Sequence, residues 1–219
     1  MKKKLLSLIL ASCALVSVSQ ARFFVGIEGG YTALGIPDSN STTDKMVFKT
    51  VSVGEIGDMF KNNPEGFLLN LTLGSEYFFG DYVGLRWDAG VGYSSVVIGL
   101  GDLGQNAKGF AKEKLGALVS MADLDLMVNL VNRGNFSFGV FGGVGADYRY
   151  YFPNGESKQH TLTFVGRAGV TTLIGQRNRF EIFAKLPFMD MASATKSNKE
   201  KTFAALPAVT IGAGYKYLF

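Results

Sequence analysis

The chain has 219 residues, 47% of them hydrophobic, with 22 basic and 18 acidic side chains for a net charge of +4. Three of the basic residues, Lys2, Lys3 and Lys4, lie in an N-terminal leader, so the remainder carries 19 against 18 and a net charge of +1. That balance leaves no electrostatic footprint for nucleic acid. The one cysteine, Cys13, also lies in the leader, which removes thiol chemistry from the rest of the chain.

Residues 1–21 read as a cleaved signal peptide: a lysine n-region, an apolar stretch from Leu5 to Val18, and the small-x-small site Ser19-Gln20-Ala21. The apolar stretch is too short for a comfortable membrane helix, which needs about 20 residues. Leu10-Ala11-Ser12-Cys13 also has the form of a lipobox, with Cys13 as the lipidated residue. The apolar run that continues through Val18 fits an h-region left uncut at Cys13 better. Beyond the leader no stretch offers 18 consecutive apolar residues, so helical spans are not expected.

From residue 22 onward the dominant signal is alternation with period two, the mark of strands with two unlike faces. Eight strands are expected. The first, about 22–32, sets Phe23, Val25, Ile27, Gly29 and Tyr31 against Glu28. The second, about 66–78, sets Phe67, Leu69, Leu71, Leu73 and Tyr77 against Asn70, Thr72 and Glu76. In the third, about 82–97, Val83, Leu85, Trp87, Ala89, Val91 and Tyr93 alternate with Gly84, Arg86, Asp88, Gly90, Gly92 and Ser94. The fourth, about 116–131, opposes Leu118, Ala122, Leu124, Leu126, Val128 and Leu130 to Asp123, Asp125 and Asn129.

The fifth, about 135–150, places Phe136, Phe138, Val140, Val144, Ala146, Tyr148 and Tyr150 opposite Gly139, Gly143, Gly145, Asp147 and Arg149. The sixth, about 160–174, sets Leu162, Phe164, Ala168 and Val170 against Arg167 and Thr171. The seventh, about 179–188, sets Phe180, Ile182, Ala184, Leu186 and Phe188 against Glu181 and Lys185. In the eighth, Val209, Ile211, Ala213, Tyr215, Tyr217 and Phe219 share one face, and Thr210, Gly212, Gly214 and Lys216 share the other.

The connections alternate in length. Residues 79–81, 132–135 and 175–178 carry hairpin chemistry, whereas about 33–65, 98–115, 151–159 and 189–204 are long. Apolar faces opposite small and charged faces, with short and long connections in alternation, predict an all-β fold. The expectation is an eight-stranded antiparallel transmembrane β-barrel over 22–219, with short periplasmic turns and longer extracellular loops. An even strand count puts both termini of the barrel's chain on the periplasmic side. Proline is tolerated where ladder pairing ends, so Pro187 and Pro207 mark the margins of the last long connection.

With the leader, the alternating strands and the ending Tyr215-x-Tyr217-x-Phe219, the chain resembles small bacterial outer-membrane barrels of the OmpA or OmpX type. Its texture is similar to Helicobacter-type outer-membrane proteins. The resemblance implies a bacterial outer-membrane location and a terminal aromatic signal, Tyr215, Tyr217 and Phe219, read by the barrel-assembly machinery. It also implies lipid and lipopolysaccharide as surroundings, and a monomer. Such families include adhesins, structural anchors, narrow pores and a few enzymes.

A narrow barrel concentrates whatever faces inward. Glu28, Glu76, Asp88, Asp123, Asp125, Asp147 and Glu181 are expected there, with Arg86, Arg149, Arg167, Lys185 and Lys216. Isolated buried charges are costly, so these should pair into one network. The network either fills and fastens the lumen or lines a narrow path for ions or small solutes.

A lipid-modifying enzyme would need a base beside a serine. The resemblance gives His-x-Ser as the pattern of such barrels, but here the segment reads His160-Thr161-Leu162. One histidine without cysteine also argues against a transition-metal site, and no cofactor is expected. Residues 38–44, with Asn40, resemble an acidic glycosylation sequon. Lys108, Lys112, Lys114, Lys196, Lys199 and Lys201 read as solvated loop lysines, with contact to lipopolysaccharide phosphates as the alternative. Residues 47–60 are unusually apolar for a loop and suit a hairpin extension, a short helix over the mouth, or a partner contact. The expected function is a non-enzymatic outer-membrane protein with a structural or surface-interaction role through its external loops, including a host or surface ligand. A narrow pore is the alternative.

Overall fold

The computed structural model describes residues 21–34, 47–50, 54, 66–99, 112–152, 159–194 and 208–219. Residues 1–20 of the expected leader, the segment around Asn40, residues 51–53 and 55–60 of the apolar segment, Pro207, Lys108, Lys196, Lys199 and Lys201 lie outside them. The strands are β1 (Arg22–Leu34), β2 (Val47–Thr50), β3 (Gly66–Phe79), β4 (Val83–Gly99), β5 (Lys112–Arg133), β6 (Phe136–Phe152), β7 (Gln159–Ile174), β8 (Asn178–Ala194) and β9 (Ala208–Leu218). Apart from β2, each pairs antiparallel with its neighbours, and β8–β9 together with β9–β1 closes the sheet into an eight-stranded barrel.

Three connections are tight. Gly80, in a three-residue turn, and Gly134, in a two-residue one, have positive φ (81° and 61°), the left-handed conformation that tight hairpin turns use and that glycine adopts without penalty. The turn after β7 puts Gln176 as well as Gly175 in that region. Strands of 11 to 22 residues meet or exceed the roughly 9–11 needed to cross a bilayer.

Two expectations about the long connections are corrected. The strands run further on that side than alternation alone implies, so Lys112 and Lys114 belong to β5 and not to a loop. Backbone pairing continues there, as in Gly99↔Lys112, after the apolar pattern has faded. Residues 47–50 form a ninth, short strand paired with the far end of β8, from Val47↔Ala192 to Thr50↔Met189. The reason lies in the seam beside it. The β8–β9 ladder stops at Lys185↔Thr210, just before Pro187, and β9 begins only at Ala208. Beyond that point β8 would present an open edge, and β2 covers part of it.

Faces follow the expected parity. Outward positions carry large apolar side chains such as Leu71, 64% exposed, and Ile182, 61% exposed. Ala33 and Val209 are on that face by parity, and paired with each other, yet both are buried. Inward positions hold buried charges and small residues. The molecule is thus apolar outside and ionic inside, the inverse of a water-soluble domain.

Candidate functional site: an ion network across the lumen

The inward charges meet at the middle of the barrel because eight strands enclose a space just wide enough for side chains to fill. Arg167 on β7 is the hub. Its Nη2 donates to Glu28 Oε1 on β1 at 2.5 Å, and its Nη1 donates to Asp88 Oδ2 on β4 at 3.1 Å and to Asp123 Oδ2 on β5 at 3.2 Å. Arg86 Nη2 donates to Asp125 Oδ2 at 2.6 Å, and its Nη1 reaches across to Glu181 Oε1 on β8. Lys216 on β9 donates to Glu181 Oε2 at 2.6 Å and to Glu28 Oε1 at 3.0 Å. These side chains are sealed from solvent, with exposures of 0–1%.

Toward the long-connection end, Lys185 Nζ donates to Asp123 Oδ2 at 2.7 Å and to Asp147 Oδ1 at 3.3 Å, and Arg149 Nη2 lies 3.5 Å from Asp147 Oδ2. Toward the short-turn end, Arg179 Nη2 donates to Glu76 Oε1 at 2.9 Å. Thr171 links that pair to the centre: its hydroxyl accepts from Arg179 Nη1 at 2.9 Å and donates to Glu181 Oε1 at 3.3 Å. All twelve inward charges expected from alternation thus lie in this chain of contacts.

Arg179 was not among the charges expected inside, although it is buried as deeply as they are. The signal was present: it stands two residues before Glu181 on the same strand face, at the strand's start, where it reads equally well as a turn residue.

Room for these long side chains comes from inner-face glycines. A Cβ on Gly145 would lie 1.9 Å from Asp123 Oδ1, and one on Gly143 would lie 2.5 Å from Asp125 Oδ1. Apolar side chains pack the remaining volume. Met127, Phe141 and Phe183 form one buried cluster, with the Arg86 guanidinium 4.6 Å from the Phe141 ring centre and that of Arg167 4.9 Å from Phe183. Phe24, Leu173 and Leu218 form a second cluster at the short-turn end.

Outside the wall, aromatic side chains gather at both ends, as in the girdles of membrane barrels. Tyr217 and Phe219 pack edge to face at 5.4 Å, and Phe180 meets Tyr215 at 5.3 Å. The Phe219 amide donates to the Phe23 carbonyl at 2.9 Å, so the last residue still takes part in closure. At the opposite end Tyr148, Tyr150 and His160 cluster, with the Tyr148 hydroxyl and His160 Nδ1 2.5 Å apart. His160 therefore sits in an outward aromatic group.

An apolar exterior, aromatic ends, a closed antiparallel wall and an ionic lumen define a small outer-membrane β-barrel. The family model described as Helicobacter outer membrane protein matches residues 70–219, and the chain belongs to that family. Among solved structures it is similar to the N-terminal β-barrel domain of OprF from Pseudomonas aeruginosa, at 13% identity over 91% of this chain and 100% of that one, with a TM-score of 0.42. It is similar also to OprG from Pseudomonas aeruginosa, at 17% identity over 90% and 96%, TM-score 0.41. A third is Ail of Yersinia pestis in complex with a heparin analogue, at 9% identity over 90% and 99%, TM-score 0.42. A comparison with curated proteins gives no match.

Proposed function

We infer that this outer-membrane protein is a closed, non-enzymatic barrel that acts as a structural or surface-interaction component, with its long external connections as the working surface. The observation that carries the reading is Arg167, which ties β1, β4 and β5 together from β7 inside a packed lumen. An ion following the axis would have to replace these contacts one by one, at the cost of leaving buried charges uncompensated. The placement of His160 among Tyr148 and Tyr150 on the outer wall favours an interfacial role over that of a catalytic base. In this reading lipid and lipopolysaccharide surround the wall, residues 1–21 are the export signal, and Tyr215, Tyr217 and Phe219 form the assembly signal. A monomer suffices, because the sheet closes on itself, with β9 paired to β1 along its length and to β8 over residues 210–217.

The test is ion conductance across a planar bilayer. Refolded protein is used, with the barrel verified by the mobility shift between boiled and unboiled samples. A folded but silent barrel is the expected result. Stable, discrete conductance steps would overturn the reading in favour of a narrow pore. Arg86, Asp147 and Arg149 would then be the residues to substitute.

A further inference from the structure

Arg149 stands apart from the other buried cations. Arg86, Arg167, Arg179, Lys185 and Lys216 each have a carboxylate oxygen at 2.9 Å or closer. Among the described residues the nearest to Arg149 is Asp147 Oδ2 at 3.5 Å, and the other oxygen of that carboxylate is engaged by Lys185. Arg149 is nevertheless only 2% exposed, and its Nε, like those of Arg167 and Arg179, has no hydrogen-bond partner among the described residues. Directly opposite it on β7 is Thr161, also buried, whose hydroxyl likewise has no partner among them. Opposed residues on one face of an antiparallel pair have Cβ atoms about 4.5–5.5 Å apart, so the two side chains rise from the same patch of the inner wall. On the other side Arg149 is paired with Val119, which is buried and offers nothing polar.

We propose that Arg149 and Thr161 form a binding site for a small oxyanion inside the external mouth of the barrel. A guanidinium can only donate, in a fork that matches the oxygens of phosphate or a carboxylate, and a threonine hydroxyl supplies one further donor. Lys185 lies below but is already held by Asp123, so the charge left for a ligand is that of Arg149. Among the described side chains, Asp147 is the carboxylate beside the site. Its long contact to Arg149 is what an anion has to outbid. The site faces the lumen, with the strand wall between it and the surrounding lipid, and this favours a free anion over a lipid headgroup. The inference does not depend on whether the lumen conducts.

The test is calorimetric titration of refolded full-length protein with inorganic phosphate, in a nonionic detergent and a chloride-free buffer. Saturable binding at one site is expected. Arg149→Gln should weaken it at least tenfold, and Thr161→Val several-fold. Arg177→Gln, exposed in a turn at the opposite end, should leave it unchanged. Absence of saturable heat at millimolar phosphate would overturn the proposal, as would unchanged affinity in Arg149→Gln. Should Arg149→Gln fail to show the folded mobility shift, Thr161→Val decides: unaltered affinity there rejects the site.

Discussion

Replacing Arg167 by methionine is the sharpest test of the lumen network. At an effective dielectric constant of about 20, each carboxylate about 3 Å from a cation contributes about 5 kcal/mol of gross attraction. Arg167 has three such partners in Glu28, Asp88 and Asp123. Most of that attraction offsets the desolvation of the charges, so the sum is not the loss expected. Removing one side of a buried ion pair costs about 3–5 kcal/mol, because the remaining charge is stranded. Around the hub the acids Glu28, Asp88, Asp123, Asp125, Asp147 and Glu181 face the bases Arg86, Arg149, Arg167, Lys185 and Lys216, one acid in excess. Arg167→Met widens that excess, whereas Asp88→Asn removes it. The single variant Arg167→Met should therefore lose about 3–5 kcal/mol. Adding Asp88→Asn to it should restore at least about 1 kcal/mol, a coupling of the size found between residues in one network. Urea unfolding in lipid vesicles gives the numbers, followed by fluorescence of the single tryptophan, Trp87, which faces outward. A loss below about 1 kcal/mol for Arg167→Met would refute the reasoning, since that is what an exposed pair contributes. A double variant no more stable than the single one would refute it as well.

Glycine at the lumen wall should matter by face. Gly145→Val should destabilise by about 1–3 kcal/mol, the usual cost of overpacking, because its Cβ falls 1.9 Å from Asp123 Oδ1. Gly142→Ala, one position outward of the network with its nearest atom at 3.7 Å, should be tolerated in the same unfolding assay. Phe219→Ala should separate assembly from stability. The side chain is 72% exposed, so refolded protein should lose less than about 1 kcal/mol, while the folded amount recovered from cell envelopes should fall several-fold. Equal recovery would remove Phe219 from the assembly signal. The β2 register predicts that Phe48→Cys with Met191→Cys forms a disulfide on mild oxidation, since the two are directly opposed. A pair that stays reduced would argue for a different closure of the seam.

Strand existence and face were legible because both depend only on parity. Leu124 outward and Asp123 inward follow from their order in the chain, whatever strand lies beside them. What parity does not supply is the end of a ladder. The extension of β5 back to Lys112 is held by pairing with β4, and residues 112–115 carry no apolar alternation that would announce it. The short strand β2 is less legible still. Its place is set by a mismatch between two other elements, β8 running on to Ala194 and β9 starting at Ala208, and nothing in residues 47–50 records that gap.

The same limit governs the site. Alternation puts Arg167 inside the wall, but its partners sit on β1, β4 and β5, and of these none pairs with β7. Which carboxylates reach it depends on strand tilt and stagger, which fix the height at which residues distant in sequence face each other across the axis. Glu28 and Arg167 are 139 residues apart and hydrogen bonded, whereas Asp147 and Arg149, two apart on one strand, are among the most weakly joined. Neighbours on one strand face point in parallel, and the closer pairs form between strands instead, adjacent ones as in Arg86–Asp125 or distant ones as in Arg167–Glu28. A sequence therefore names the members of such a network without naming its bonds. By the same geometry Arg149, the least satisfied of the described buried cations, is the one near the mouth, where the flanking strands β7 and β5 present threonine and valine beside it in place of a carboxylate.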